Sequence, residues 1–206
     1  AHRMYWAAYW RTSDIEIEAS GEDAAADAAA EQQGIRFCSF QLAQTYNGGS
    51  MRHNIGAKGL TGEAYNGHAF WDTEAGCLPF YLFNNPQAAR NLLLYRYQTL
   101  PQALERAVEM DCQGACYPFV TIDGTESCGV WQHGNLEVHI GAGLAYAIRH
   151  YVHISDDREF LHHEGIEMLL QISRYFASRG EWGPRTGQFG MWGVMGVPII
   201  LSQVVW

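Results

Sequence analysis

From Ile140 onward, Leu144, Ile148 and Tyr151 recur every three or four positions. That spacing puts all four side chains on one face of a helix, whereas a strand would scatter them over both faces. The stripe predicts a helix over 137–153. Asp156 followed by Glu159 has the spacing of a capping box, and Ile166, Leu169, Leu170, Ser173 and Phe176 form the next stripe. The two segments read as a helical hairpin. Further upstream, Asn85 before Pro86 opens a helix over 87–97, and Thr99 before Pro101 opens another over 102–110, with Gly114 marking its exit. Proline is tolerated there because the first helical turn leaves its N–H groups unpaired in any case. Residues 22–30 are nearly all alanine or acidic, so they read either as the start of a helix continuing through Phe37 to Leu42 or as a solvated turn. The expectation is an all-α chain whose successive helix pairs suit a toroid.

Striped helices need a shared core. A chain of 206 residues that is 48% hydrophobic can fill one, so a single domain is expected. Thirteen Lys and Arg against 22 Asp and Glu leave a formal charge of -9, which disfavours nucleic acid and anionic membrane surfaces as partners. Five cysteines spread over this length lack the density of a secreted disulfide scaffold, so reduced thiols and a cytoplasmic location are expected. No apolar run is long enough for a membrane helix, and the first residues do not pattern as a signal peptide.

The loops are richer than connection requires. Residues 46–67 hold six glycines among polar and aromatic side chains, and 117–134 mix Pro, Gly, Asp, Glu and Trp. Long ordered loops in helical proteins tend to carry function. The most informative stretch is Gly62-Glu63-Ala64-Tyr65-Asn66-Gly67-His68-Ala69-Phe70-Trp71-Asp72-Thr73-Glu74, leading into the apolar run 77–83. A sugar offers an apolar face of C–H groups and a rim of hydroxyls. An aromatic platform beside a carboxylate that accepts O–H bonds therefore suits it, and Trp71 with Asp72 can supply both. On those residues alone, a core tryptophan followed by a helix N-terminal charge is the favoured reading.

Other constellations are weaker. His150 with His153, and His162 and His163 with Glu164, contain zinc-ligand types without a third ligand on the same face, so no metal is expected. Cys112 and Cys116 are a lone pair and read as free thiols.

Several segments together resemble glycoside hydrolase family 65. These are Gly67 to Glu74 with Leu78-Pro79-Phe80, the run from Ala88-Ala89-Arg90-Asn91 to Tyr97, Gly114-Ala115-Cys116-Tyr117-Pro118-Phe119, Glu137-Val138-His139-Ile140 and Ser173-Arg174-Tyr175-Phe176. They stand in the family's order at close to its spacing, over 1–196. The resemblance implies the first half of an (α/α)6 barrel, truncated, with a β-sandwich domain that normally precedes it lying outside these residues. It implies an enzyme, an inverting phosphorylase that cleaves an α-linked glucose disaccharide with inorganic phosphate to β-glucose 1-phosphate and glucose. Phosphate would be a co-substrate, no cofactor is implied, and a full-length parent could be a homodimer. In the family, the pair matched by Trp71 and Asp72 holds the non-reducing-end glucose. Arg36, His68, Glu74, Glu126, Trp131, His133 and His139 lie in or beside matched motifs as further candidates for the same cleft. Tyr117-Pro118-Phe119-Val120 with Trp131-Gln132-His133 looks more like the nigerose and kojibiose enzymes than the maltose ones.

One departure bears on the chemistry. Inverting phosphorolysis needs a carboxylic acid to protonate the glycosidic oxygen while phosphate attacks C1 from the opposite face. In the family that acid is the Glu of a Gly-Pro-Asp-Glu motif. Here the matching stretch, Gly190-Met191-Trp192-Gly193-Val194-Met195-Gly196, passes instead into the apolar segment 197–206, and no Asp or Glu follows Glu181. The catalytic acid is therefore expected to be absent, 197–206 to be an aberrant tail unrelated to the family, and this chain alone to be inactive. The alternatives are a non-catalytic sugar- or partner-binding helical protein, or a family hydrolase of α-glucosides.

Overall fold

The computed structural model describes residues 1–21 and 24–196. Glu22 and Asp23, with which the first alanine-rich helix was expected to begin, and the expected tail 197–206 lie outside the described residues.

Nearly all regular structure is helical. In chain order it comprises α1 (His2–Ser13), α2 (Ala25–Thr45), α3 (Leu78–Asn84), α4 (Pro86–Gln98), α5 (Leu100–Glu109), α6 (Trp131–Leu136), α7 (His139–Ser155), α8 (Arg158–Phe160) and α9 (Ile166–Arg179). A two-residue hairpin, β1 (Glu181–Trp182) antiparallel to β2 (Phe189–Gly190), follows them. The all-α expectation holds, and the stripe of Ile140, Leu144, Ile148 and Tyr151 is the buried face of α7.

Some helix ends differ from the sequence reading, for local reasons. Asp156 is not the N-cap of the next helix: it closes α7 as its C-cap in the left-handed region at φ 52°, and Asp157 caps α8 by accepting the Phe160 N–H at 2.9 Å. Asp157 also accepts from the Tyr151 hydroxyl at 2.7 Å and from Arg90 Nε at 3.0 Å, which ties this corner to α4. Asn85 caps α4 as expected, accepting from the Ala88 N–H at 3.2 Å. Thr99 instead donates backwards to the Tyr95 carbonyl at 3.1 Å and leaves α5 without a side-chain cap. Gly114 does not end α5, which stops at Glu109. It lets the loop touch α9, since a Cβ there would lie 2.2 Å from the Gln171 carbonyl oxygen.

Helix α4 is the centre of the molecule. Ala88, Ala89, Leu92, Leu93, Leu94, Tyr95 and Arg96 are all buried on it, because α3 and α7 pack on different sides. The core joins Leu78, Tyr81 and Leu82 of α3 to Leu144 and Ile148 of α7 and to Met168 and Ile172 of α9. Each fully buried aliphatic side chain contributes about 1.5–3 kcal/mol.

One charged pair lies inside that core. Glu74 and Arg96 are each 1% exposed at the side chain and meet in two parallel contacts, Nε to Oε1 at 2.7 Å and Nη2 to Oε2 at 3.0 Å. Arg96 Nη2 also donates to the Phe70 carbonyl at 3.3 Å, and the Tyr117 hydroxyl donates to the Arg96 carbonyl at 3.2 Å. The pair therefore joins α4 to the segments before α3 and after α5. Removing one partner of such a pair strands the other charge in a dry site, at a cost of about 3–5 kcal/mol. Glu74→Ala should lose about that much in urea denaturation, while the apolar double exchange Glu74→Leu with Arg96→Met should lose markedly less. Equal losses in the two proteins would show that the charges are not a matched unit.

Candidate functional site

Two loops meet at the start of α3. Ala69 and Thr121 exchange backbone hydrogen bonds at 2.8 and 3.1 Å, a single antiparallel bridge that joins the glycine-rich loop to the loop after α5. The Ala57 N–H donates to the His68 carbonyl at 3.0 Å. Gly56 permits that approach, since a Cβ on it would sit 3.0 Å from the backbone of Gly67. Tyr65 and Asn66 take left-handed φ values of 65° and 51°, turning the chain so that His68, Phe70 and Trp71 face one side.

Between the loops is a cavity of about 660 Å³. Small-molecule sites typically span about 300–1,000 Å³. Lys58, Tyr65, His68, Phe70, Trp71 and Asp72 line one side, and Phe119, Ser127, Cys128, Val130 and His133 the other. Its wall is an aromatic lattice. Tyr65 meets Phe70 edge to face at 5.2 Å, Phe70 meets Phe119 at 5.4 Å, and His133 stacks on Phe119 at 5.9 Å with 18° between the planes. Behind Trp71, the His139 ring abuts it edge to face at 5.1 Å.

Asp72 stands at the N-terminus of a π turn, Thr73–Cys77, that runs into α3. Single π turns of this kind recur at functional sites. The turn is held by the Thr73 hydroxyl, which donates to Asn54 Oδ1 at 2.8 Å, and by the Glu74–Arg96 pair. Asp72 is exposed and caps nothing, and its carboxylate hydrogen-bonds to none of the described residues. A ring face and an uncommitted carboxylate thus open side by side onto one cavity.

The other sequence candidates divide. His68 lines the cavity, with its Nδ1 2.8 Å from the Tyr65 carbonyl, and His133 lines it from the opposite side. His139 belongs to the supporting layer behind Trp71. Glu74 is no wall residue, being wholly committed to Arg96. Arg36 is also away from the cavity; it lies on α2 and holds Asp14 at 2.6 Å. Trp131, beside the lining residue Val130, starts α6 with 65% of its surface exposed and is not in the wall. Glu126 shapes the loop: its carboxylate accepts the Phe119, Val120 and Cys128 N–H groups at 2.7, 3.2 and 2.9 Å and lies 3.4 Å from Arg106.

The wall residues Phe70, Phe119, Tyr65 and Lys58 are not singled out by the sequence. The aromatic enrichment of the two loops was the signal for the first three. Among the described residues, no group of three His, Cys, Asp or Glu could hold a metal ion, and no helix is long and apolar enough to cross a membrane.

Residues 36–198 match the model of the glycosyl hydrolase family 65 central catalytic domain. The chain is 40% identical over 196 residues to maltose phosphorylase of Bacillus subtilis (strain 168), covering 95% of this chain and 25% of that protein. It is 37% identical over 210 residues to kojibiose phosphorylase of Halothermothrix orenii, covering 95% of this chain and 26% of the relative. To alpha,alpha-trehalose phosphorylase of Thermoanaerobacter brockii it is 39% identical over 179 residues, covering 87% and 22%. A solved structure named "Putative kojibiose phosphorylase from human microbiome" superposes with a TM-score of 0.85 at 44% identity, over 94% of this chain and 25% of that one. The chain thus spans about a quarter of the length of these relatives, and its helices form part of an all-α barrel.

Burial pushes the His139 imidazole below its ordinary value of 6.5, with the Glu137 carboxylate opposing the shift. Unfolded, His139 binds a proton near pH 6.5; folded, it does so only at lower pH. Its contribution therefore lowers stability as pH falls below about 6.5 and is flat above it. Over a descent from about pH 8 to about pH 5, wild type should lose more stability than His139→Phe, as read by urea midpoints. Parallel curves would show that burial does not hold this ring neutral.

Proposed function

Because the chain belongs to glycosyl hydrolase family 65, we propose that its cavity holds the non-reducing-end glucose of an α-linked disaccharide for inverting phosphorolysis. The observation that carries this reading is the uncommitted Asp72 carboxylate beside the Trp71 ring. Trp71 would cover the C–H face of the sugar, and Asp72 would accept from two adjacent hydroxyls. His68 and His133 would complete the polar rim. Holding the ring rigidly also matches what the reaction needs, because an oxocarbenium-like transition state is reached only if C1 is presented squarely to phosphate. The products would be β-glucose 1-phosphate and glucose.

Within the family, we favour a kojibiose- or nigerose-type linkage. Tyr117-Pro118-Phe119-Val120 and Trp131-Gln132-His133 support it, as does the 44% identity to the solved structure. We further propose that 1–196 are the first half of the barrel domain and that the sequence 197–206 is unrelated to the family. On this reading the family's proton donor would have no counterpart among these 206 residues, since neither Asp nor Glu follows Glu181. This polypeptide by itself should therefore bind glucose without cleaving a disaccharide. General acid–base assistance is worth about 10² to 10⁴ in rate, so its loss removes measurable turnover.

Two measurements test the reading. In an NMR titration of the 206-residue chain with glucose, Asp72→Asn and Trp71→Ala should each raise Kd by roughly 10-fold or more, since hydrogen bonds to a charged group are worth about 1.5–3 kcal/mol. Unchanged affinity in both folded variants would make the pair structural. In a full-length kojibiose phosphorylase relative, the exchange equivalent to Asp72→Asn should cut phosphate-dependent glucose release at least as far. Hydrolysis independent of phosphate would refute phosphorolysis.

A further inference from the structure

We propose that Glu137 is a positioning residue of this cavity, fixing the His133 ring so that its Nε2 accepts a hydrogen bond from a hydroxyl of the bound sugar. The inference rests on the glucose-binding reading above and adds to it a residue behind the wall. Glu137 lies between α6 and α7 with a wholly buried side chain. Its Oε1 meets His133 Nδ1, and its Oε2 has no partner among the described residues, with His139 Nε2 4.0 Å away. One buried carboxylate thus stands between two imidazoles. His133 is stacked on Phe119, and His139 is edge-on to Trp71.

A plain structural role would have this carboxylate cap α7, which begins two residues later. It accepts no backbone N–H there, and α7 has no side-chain cap. A buried carboxylate is costly unless it is paired, so the His133 contact is what this position provides in return.

The chemistry follows from which atoms can donate. A carboxylate only accepts, so Nδ1 of His133 must carry the hydrogen, and in the neutral ring Nε2 then presents a lone pair. His133 lines the cavity and keeps 36% of its side-chain surface open. Free imidazoles favour no such arrangement, so without Glu137 the ring would also populate the form with hydrogen on Nε2, which cannot accept.

The test uses ¹⁵N NMR of the imidazoles in the 206-residue chain, with glucose as the probe. Wild type should show His133 with hydrogen on Nδ1, and Glu137→Leu should lose that signature. The double exchange of His133→Phe with Glu137→Leu keeps the stack on Phe119 and leaves no buried carboxylate without a partner. It should weaken glucose binding roughly 3- to 10-fold, as expected for one neutral hydrogen bond. A wild-type ring carrying its hydrogen on Nε2, or a Glu137→Leu protein that keeps the Nδ1–H form, overturns the inference. So does a folded double exchange with unchanged glucose affinity, while leaving the cavity reading intact. A wild type that binds no glucose overturns the cavity reading and this inference with it.

Discussion

The Glu74–Arg96 pair is the constraint around which the rest is arranged. A fully buried guanidinium and carboxylate are tolerable only in matched geometry, and here they meet in two parallel contacts inside the apolar core. The geometry reaches outward through backbone atoms. Arg96 also holds the carbonyl of Phe70, the residue before Trp71, and its own carbonyl takes the Tyr117 hydroxyl. The site and the core are therefore linked by a few directional contacts, and the start of α3 cannot shift without exposing a buried charge. Glu74, which has the look of a cleft carboxylate in the sequence, acts instead as the anchor beneath the cleft.

The cavity is made by loops that are themselves tightly determined. The Ala69–Thr121 bridge joins them, Glu126 gathers the Phe119, Val120 and Cys128 N–H groups of the second loop, and Thr121 Oγ1 accepts the Gly124 N–H at 2.7 Å. Backbone groups that would otherwise need water are satisfied internally, so the loops can present aromatic faces without collapsing onto them. Polar chemistry then concentrates at a few points. Asp72 and His68 face one side of the cavity, while His133 faces the other, backed by Glu137.

Family membership and site geometry agree in kind. The relatives are named for maltose, trehalose and kojibiose, three glucose disaccharides that differ in linkage. A cavity with one aromatic platform and one free carboxylate is the basis of the glucose-holding role proposed above. Identities of 40%, 39% and 37% to the three types are too close to separate linkages by themselves.

What the sequence determined by itself was whatever depends on neighbours along the chain. Apolar periodicity marked α7 and α9, Asn85 before Pro86 marked the start of α4, and the order of motifs marked the family. Pattern reading works for these because a helix face and a cap are set within a few residues. Tertiary structure alone decided which polar residues meet. Glu74 finds Arg96 across 22 positions, Arg36 finds Asp14 across another 22, and Trp71 meets His139 only after α7 folds against the start of α3. A carboxylate has the same local pattern whether it pairs with a buried arginine or waits for a sugar. Only the partner that long-range packing brings within hydrogen-bond reach distinguishes Glu74 from Asp72.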